Sequence, residues 1–154
     1  MRRIALAALL VCCACSSLPP GPYLHAASGI ELPEHAGELT LERVFPSAED
    51  LGKNAETAHY EAPQLKIARI SLTIRPASSA HGDPTGELAF STARFALPEQ
   101  TGAAAPDAYE LLGATRPAAR AHIDLGKGSL PDHVDVIVVP WRDWVIEGRL
   151  YHRK

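Results

Sequence analysis

Apolar residues open the chain as one block and afterwards come in alternation. The block is Ile4-Ala5-Leu6-Ala7-Ala8-Leu9-Leu10-Val11, directly behind Arg2 and Arg3. From residue 38 the pattern changes to the two-residue period of a strand. Residues 38–45 alternate with Leu39, Leu41 and Val44 inward, and Pro46-Ser47 ends the run. Ser47-Ala48-Glu49-Asp50-Leu51 has the cap and early acids of a helix start, which Gly52 and Asn54 restrict to a turn or two. Residues 65–75 form the clearest strand: Leu65 and Ile67 share one face, Ile70, Leu72 and Ile74 the next. The slip of phase at Ala68-Arg69 is what a β-bulge produces. A long Pro- and Gly-rich turn leads to residues 87–97, predicted as the antiparallel partner, with Phe90, Phe95 and Leu97 as its apolar groups.

Further on, residues 107–115 are predicted as a short helix and residues 121–125 as a brief strand closed by Gly126-Lys127-Gly128. Residues 134–139 and 144–151 flank Pro140-Trp141-Arg142-Asp143 and predict a closing hairpin rich in β-branched residues. The sum is an α+β fold, an antiparallel sheet of five or six strands with one or two short helices; an all-β sandwich is the alternative. Three segments follow: 1–14 as a signal, 15–30 as a tether in which Pro19, Pro20 and Pro22 favour extended chain, and 31–154 as one strand-rich domain.

The opening block is too short for a spanning helix, which needs about 20 apolar residues. Two arginines, a short apolar core and small residues are the layout of a secretory signal. All three cysteines, Cys12, Cys13 and Cys15, stand at its end. With that arrangement the first 17 residues resemble bacterial lipoproteins, whose signal closes on an apolar and small-residue box before the cysteine that takes the lipid. Cys15, between Ala14 and Ser16-Ser17, fits that position; Cys13, with Leu10 three residues before it, is the alternative. The resemblance implies several acyl chains on one cysteine, hence firm attachment to a membrane. Ser16 after Cys15 implies, by the same resemblance, the outer membrane facing the periplasm.

Without residues 1–14 the chain keeps 140 residues, enough for a real core, and loss of Arg2 and Arg3 takes the formal charge from −3 to −5. An acidic domain is a poor ligand for nucleic acid. Acids gather between Glu31 and Glu61, while Arg149, Arg153 and Lys154 make the far end basic. With Cys15 acylated, thiol redox chemistry and cysteine-based zinc sites are excluded, and the domain must hold through packing without disulfides.

Candidate chemistry lies in histidine. His122-Ile123-Asp124 and Asp132-His133-Val134-Asp135 each place an imidazole and a carboxylate on one side of a strand, and both are zinc-type ligands. Strand ends also yield such pairs without any metal. No HExxH, Gly-x-Ser-x-Gly or phosphate-loop spacing occurs. Trp141 is a candidate partner-binding residue, whereas Trp144 is expected to pack inside. The leading expectation is a non-enzymatic envelope adaptor or structural component with a protein partner and no cofactor. The alternative is a periplasmic small-ligand or metal-binding lipoprotein using His122, Asp124, His133 and Asp135.

Overall fold

The computed structural model describes residues 21–62, 69–93, 105–111, 114–125 and 131–152. It is mostly β: an antiparallel sheet of eight strands, a separate two-stranded ribbon and one α-helix. The ribbon is β1 (Tyr23–His25) with β2 (Ile30–Leu32). The sheet contains β3 (His35–Ala36), β4 (Leu39–Pro46), β5 (Glu56–Glu61), β6 (Arg69–Pro76), β7 (Ala105–Leu111), β8 (Ala114–Asp124), β9 (His133–Trp141) and β10 (Trp144–His152). The helix, α1, spans Pro84–Ala93. This balance lies nearer the all-β alternative than the α+β expectation, and the sheet is larger than five or six strands.

In space the order is β3-β4-β5-β6-β10-β9-β8-β7. Two antiparallel meanders, β3 to β6 and β7 to β10, therefore meet at their last strands. Residue by residue, β10 pairs with β6 from Trp144↔Pro76 to Tyr151↔Arg69. The predicted closing hairpin is present, turning at Arg142-Asp143 with Trp141 opposite Trp144. Arg142 takes a left-handed φ of 54°, uncommon for a residue with a side chain. The β-bulge falls in β4 between Leu41 and Arg43, which is why the inward set shifts from Leu41 to Val44. Residues 63–68, and with them Ala68 of the bulge expected at Ala68-Arg69, lie outside the described residues.

Two elements differ from expectation. Residues 87–93 are helix instead of strand, because Asp83 caps: its Oδ1 accepts from the Thr85 N–H at 3.1 Å and its Oδ2 from the Gly86 N–H at 3.0 Å. Pro84 then occupies the first helical position, where its fixed φ helps and its missing N–H costs nothing. Residues 105–111 are strand instead of helix, paired along their length with β8. The ribbon also overlaps the expected tether, since residues 23–30 fold onto the sheet. His25 is buried there: its Nε2 donates to the Asn54 carbonyl at 2.8 Å, and its Nδ1 accepts from the Ser28 amide at 3.2 Å.

Two cores sit on opposite faces and opposite halves. Under α1, Leu88 packs with Ala119, Ala121, Ile123, Val134, Val136, Val138 and Val145. Under the ribbon, Ile30 and Leu32 pack with Leu41, Ala58, Tyr60, Ile74 and Ile146 on the other face. Among the described residues α1 covers one face of one half and the ribbon the opposite face of the other, and on the ribbon's face the ends of β8, β9 and β10 around Asp124, His133 and His152 lie beyond the ribbon core.

Candidate functional site

Antiparallel register decides which side chains meet on that face. His122 lies opposite Asp135, and Asp135 opposite Leu150; one row further, Asp124 lies opposite His133 and His133 opposite His152. Because strand residues alternate, His122, Asp124, His133, Asp135 and His152 all project to the side away from α1. Three strands therefore bring three imidazoles around one carboxylate.

The geometry centres on Asp135. Its Oδ1 is 2.9 Å from His122 Nδ1, and its Oδ2 is 3.1 Å from His152 Nε2 and 3.3 Å from Arg120 Nη2. Burial pushes the Asp135 carboxyl up, but the His122 hydrogen bond and the Arg120 charge outweigh it and hold it below the ordinary carboxylate range. The rings form a triangle: His122 to His133 5.0 Å, His133 to His152 5.6 Å, His122 to His152 5.7 Å between centroids, with the two contacts to His133 stacked. His133 is 5% exposed, and among the described residues its Nδ1 is one of two buried side-chain atoms without a hydrogen-bond partner; Arg116 Nε is the other.

One donor atom each from His122, Asp135 and His152 lies within 4.8 Å of the other two. A tetrahedral cation with ligands at about 2.0–2.2 Å sets them roughly 3.4 Å apart, so the 2.9 and 3.1 Å hydrogen bonds to Asp135 would open slightly to admit it, a movement of side-chain tips. Each imidazole now donates to Asp135 from the nitrogen that would face the metal, so binding requires that nitrogen to give up its proton, leaving the neutral ring protonated on its other nitrogen.

Of the residues proposed from sequence, His122 and Asp135 join the three-donor group; His133 stacks on both histidines of that group without joining it, and Asp124 stands on the same face beside His133, also outside it. His152 escaped sequence reasoning. The signal was present, since a two-residue turn at Arg142-Asp143 places His152 across from His133. Trp141 lies at the far end of β9, with the Arg116 guanidinium 3.9 Å and that of Arg142 5.9 Å from its ring. Trp144 is partly buried against the ribbon core, its ring 5.0 Å edge-on from His25. Cys13 and Cys15 lie outside the described residues.

A second polar cluster is sealed between α1 and the sheet. Arg75, Glu87, Ser91 and Glu147 are all 0% exposed. Arg75 Nη1 donates to Glu87 Oε2 at 2.8 Å, its Nη2 to Ser91 Oγ at 3.1 Å, and its Nε lies 3.4 Å from Glu147 Oε2. Ser91 Oγ donates to Glu147 Oε2 at 2.6 Å, while Arg149 binds the other oxygen of Glu147. The Ser78 amide completes Glu87 at 2.7 Å. Two cations meet two anions with every carboxylate oxygen partnered. Arg75, Glu87, Ser91 and Glu147 are closed to water, Arg149 borders solvent, and the cluster ties the helix to the centre of the sheet.

No family model, curated protein or solved structure matches this chain. Among the described residues no helix is long and apolar enough to cross a membrane.

Proposed function

We propose that the chain is a bacterial envelope protein, held at the membrane by lipid on Cys15 or Cys13, whose sheet domain takes up a divalent metal cation at His122, Asp135 and His152. The observation that carries the cation site is the convergence of three ligand-type donors from three different strands within 4.8 Å. Support for the anchor is the sequence of residues 1–17 alone. Equilibrium dialysis of the full chain in detergent against zinc alone tests the site: one zinc per chain is expected, lost in Asp135→Asn. A wild-type chain that retains no zinc refutes the site. Intact-mass measurement and mapping of the N-terminal peptide test the anchor, which requires acyl mass on one of the two cysteines.

An adaptor of an envelope assembly is the second reading. It is favoured by Leu24 on β1, a large apolar side chain left 59% exposed by the ribbon. Cross-linking that depends on Leu24, unchanged in Asp135→Asn, would support it over the cation site.

A further inference from the structure

We propose that His133 supplies a third nitrogen to this site and that Arg120 is the counter-ion the metal displaces, so that the site selects a borderline transition cation such as zinc or copper(II). The inference rests on the cation-binding reading above and extends it to ligand number, selectivity and the resident competitor.

The case for His133 starts from a cost. Burying a ring nitrogen without a partner forfeits the hydrogen bond that water would supply. His133 is in that position: buried, stacked at 5.0 and 5.6 Å on the two imidazoles that touch Asp135, with Nδ1 unpartnered. Its Nε2 is 3.9 Å from Asp132, too long for a good hydrogen bond. His133 stands outside the donors that lie within 4.8 Å of one another, so its ring must swing toward Asp135 for a metal there to give Nδ1 a partner. Around a tetrahedral ion, imidazole rings sit roughly 5 Å apart between centroids, given metal–nitrogen distances of about 2.0–2.1 Å. The triangle of 5.0, 5.6 and 5.7 Å is close to that spacing, and the rings stacked on His133, 25° and 26° from parallel, would turn so that their nitrogens face one ion.

Arg120 enters through charge. Its guanidinium lies 3.3 Å from Asp135 Oδ2, and its side chain is 49% exposed, so it can swing into water at little cost. A dication and a guanidinium cannot both take the same oxygen at full strength. Arg120 thus occupies the carboxylate when the metal is absent and lowers the apparent affinity when it competes. Three imidazoles and one carboxylate favour cations of intermediate softness over magnesium or calcium, which demand oxygen ligands.

The test titrates the full chain in detergent with zinc alone and magnesium alone, and records electron paramagnetic resonance after loading copper(II). Zinc binding without magnesium binding, and a copper signal coupled to three nitrogens, are expected. His133→Phe keeps a flat ring in the stack; it should weaken zinc by about tenfold or more and reduce the copper signal to two nitrogens. Arg120→Gln should strengthen zinc by about two- to fivefold, the worth of an exposed ion pair. Melting curves without metal confirm that each variant folds. Two coupled nitrogens in the wild type, or zinc affinity unmoved by His133→Phe, overturns the role of His133 while the cation site stands. Unchanged or weaker zinc binding in Arg120→Gln overturns the role of Arg120. A wild type that binds neither zinc nor copper overturns the cation site and this inference together.

Discussion

Replacing Arg75 by methionine removes one buried cation and leaves the Oε2 of Glu87 without its 2.8 Å partner. Glu147 fares better, because Arg149 and Ser91 remain on it. The cost therefore falls mainly on Glu87, which is 0% exposed and keeps only the Ser78 amide on its other oxygen. Breaking a buried pair by removing one member typically costs about 3–5 kcal/mol. The penalty has a ceiling, because a stranded carboxylate can take up a proton; for an ordinary glutamic acid at neutral pH that costs about 3.7 kcal/mol. Arg75→Met should accordingly lose about 3–4 kcal/mol. At about 2–4 °C per kcal/mol for a chain of this size, the melting temperature should drop by about 6–16 °C. Denaturant unfolding followed by circular dichroism measures it, with Glu87→Gln and the double variant completing a cycle. The double variant should cost clearly less than the two single changes added together, since it removes cation and anion at once. A deficit under about 1 kcal/mol, or strict additivity across the cycle, would refute the view that this cluster is a coupled clamp.

Three other outcomes are expected. Burial pushes Glu147 up, but Arg149, the Ser91 hydroxyl and Arg75 outweigh it and hold the group below its ordinary value. Its stabilisation is therefore complete above the ordinary carboxylate range and lost as pH falls through the depressed one, so Arg149→Met should move the acid-unfolding midpoint upward, as read by tryptophan fluorescence. Burial pushes the Tyr60 phenol up to about 12, and that phenol donates to the Pro33 carbonyl at 2.7 Å. Such a raised group stabilises below about pH 10 and loses its effect between about 10 and 12, so Tyr60→Phe should be less stable than wild type at neutral pH and draw level or overtake it at strongly alkaline pH. Gly86→Ala, which in an open helix would gain up to about 1 kcal/mol, should destabilise, because the new Cβ would lie 2.7 Å from Ala80 Cβ and 2.9 Å from the capping Asp83 Oδ2. A thermal melt decides it, and a rise in melting temperature would contradict the tight fit described.

The closing hairpin was legible because β-branched residues crowd both arms and the turn between them is short. Strand β4 was legible for its alternation; its bulge was not expected there, although the change of phase before Val44 was the signal for it. Helix α1 was not. Its buried positions are Glu87, Leu88, Ser91 and Thr92, three of them polar, so no apolar stripe marks the helix. Glu87 and Ser91 bond Arg75, a partner on an earlier strand that local pattern cannot reveal, and Thr92 bonds back to the Leu88 and Ala89 carbonyls of its own helix. The capping aspartate and the proline after it were the available signal, and they also suit a turn. Strand β7 carries Pro106, tolerable in a strand paired here only with β8. In the site, each His-x-Asp pair was visible locally, but their union and the entry of His152 follow from pairings between β8, β9 and β10.

The junction of the two meanders has a consequence for the order of events during synthesis. Strand β10 is the last of the described strands in the chain, yet it occupies the middle of the sheet. Until Trp144 and its successors are available, β6 and β9 each have an open edge, with Ile74 on one and Val134, Val136 and Val138 on the other. Unpaired apolar edges of that kind recruit foreign strands. The first meander cannot finish its interior early, since Ile146 belongs to its core, and Glu147 must arrive before Arg75 has both of its anions. A chain lacking this strand would leave both edges open, and pairing of residues 144–152 closes the two at once.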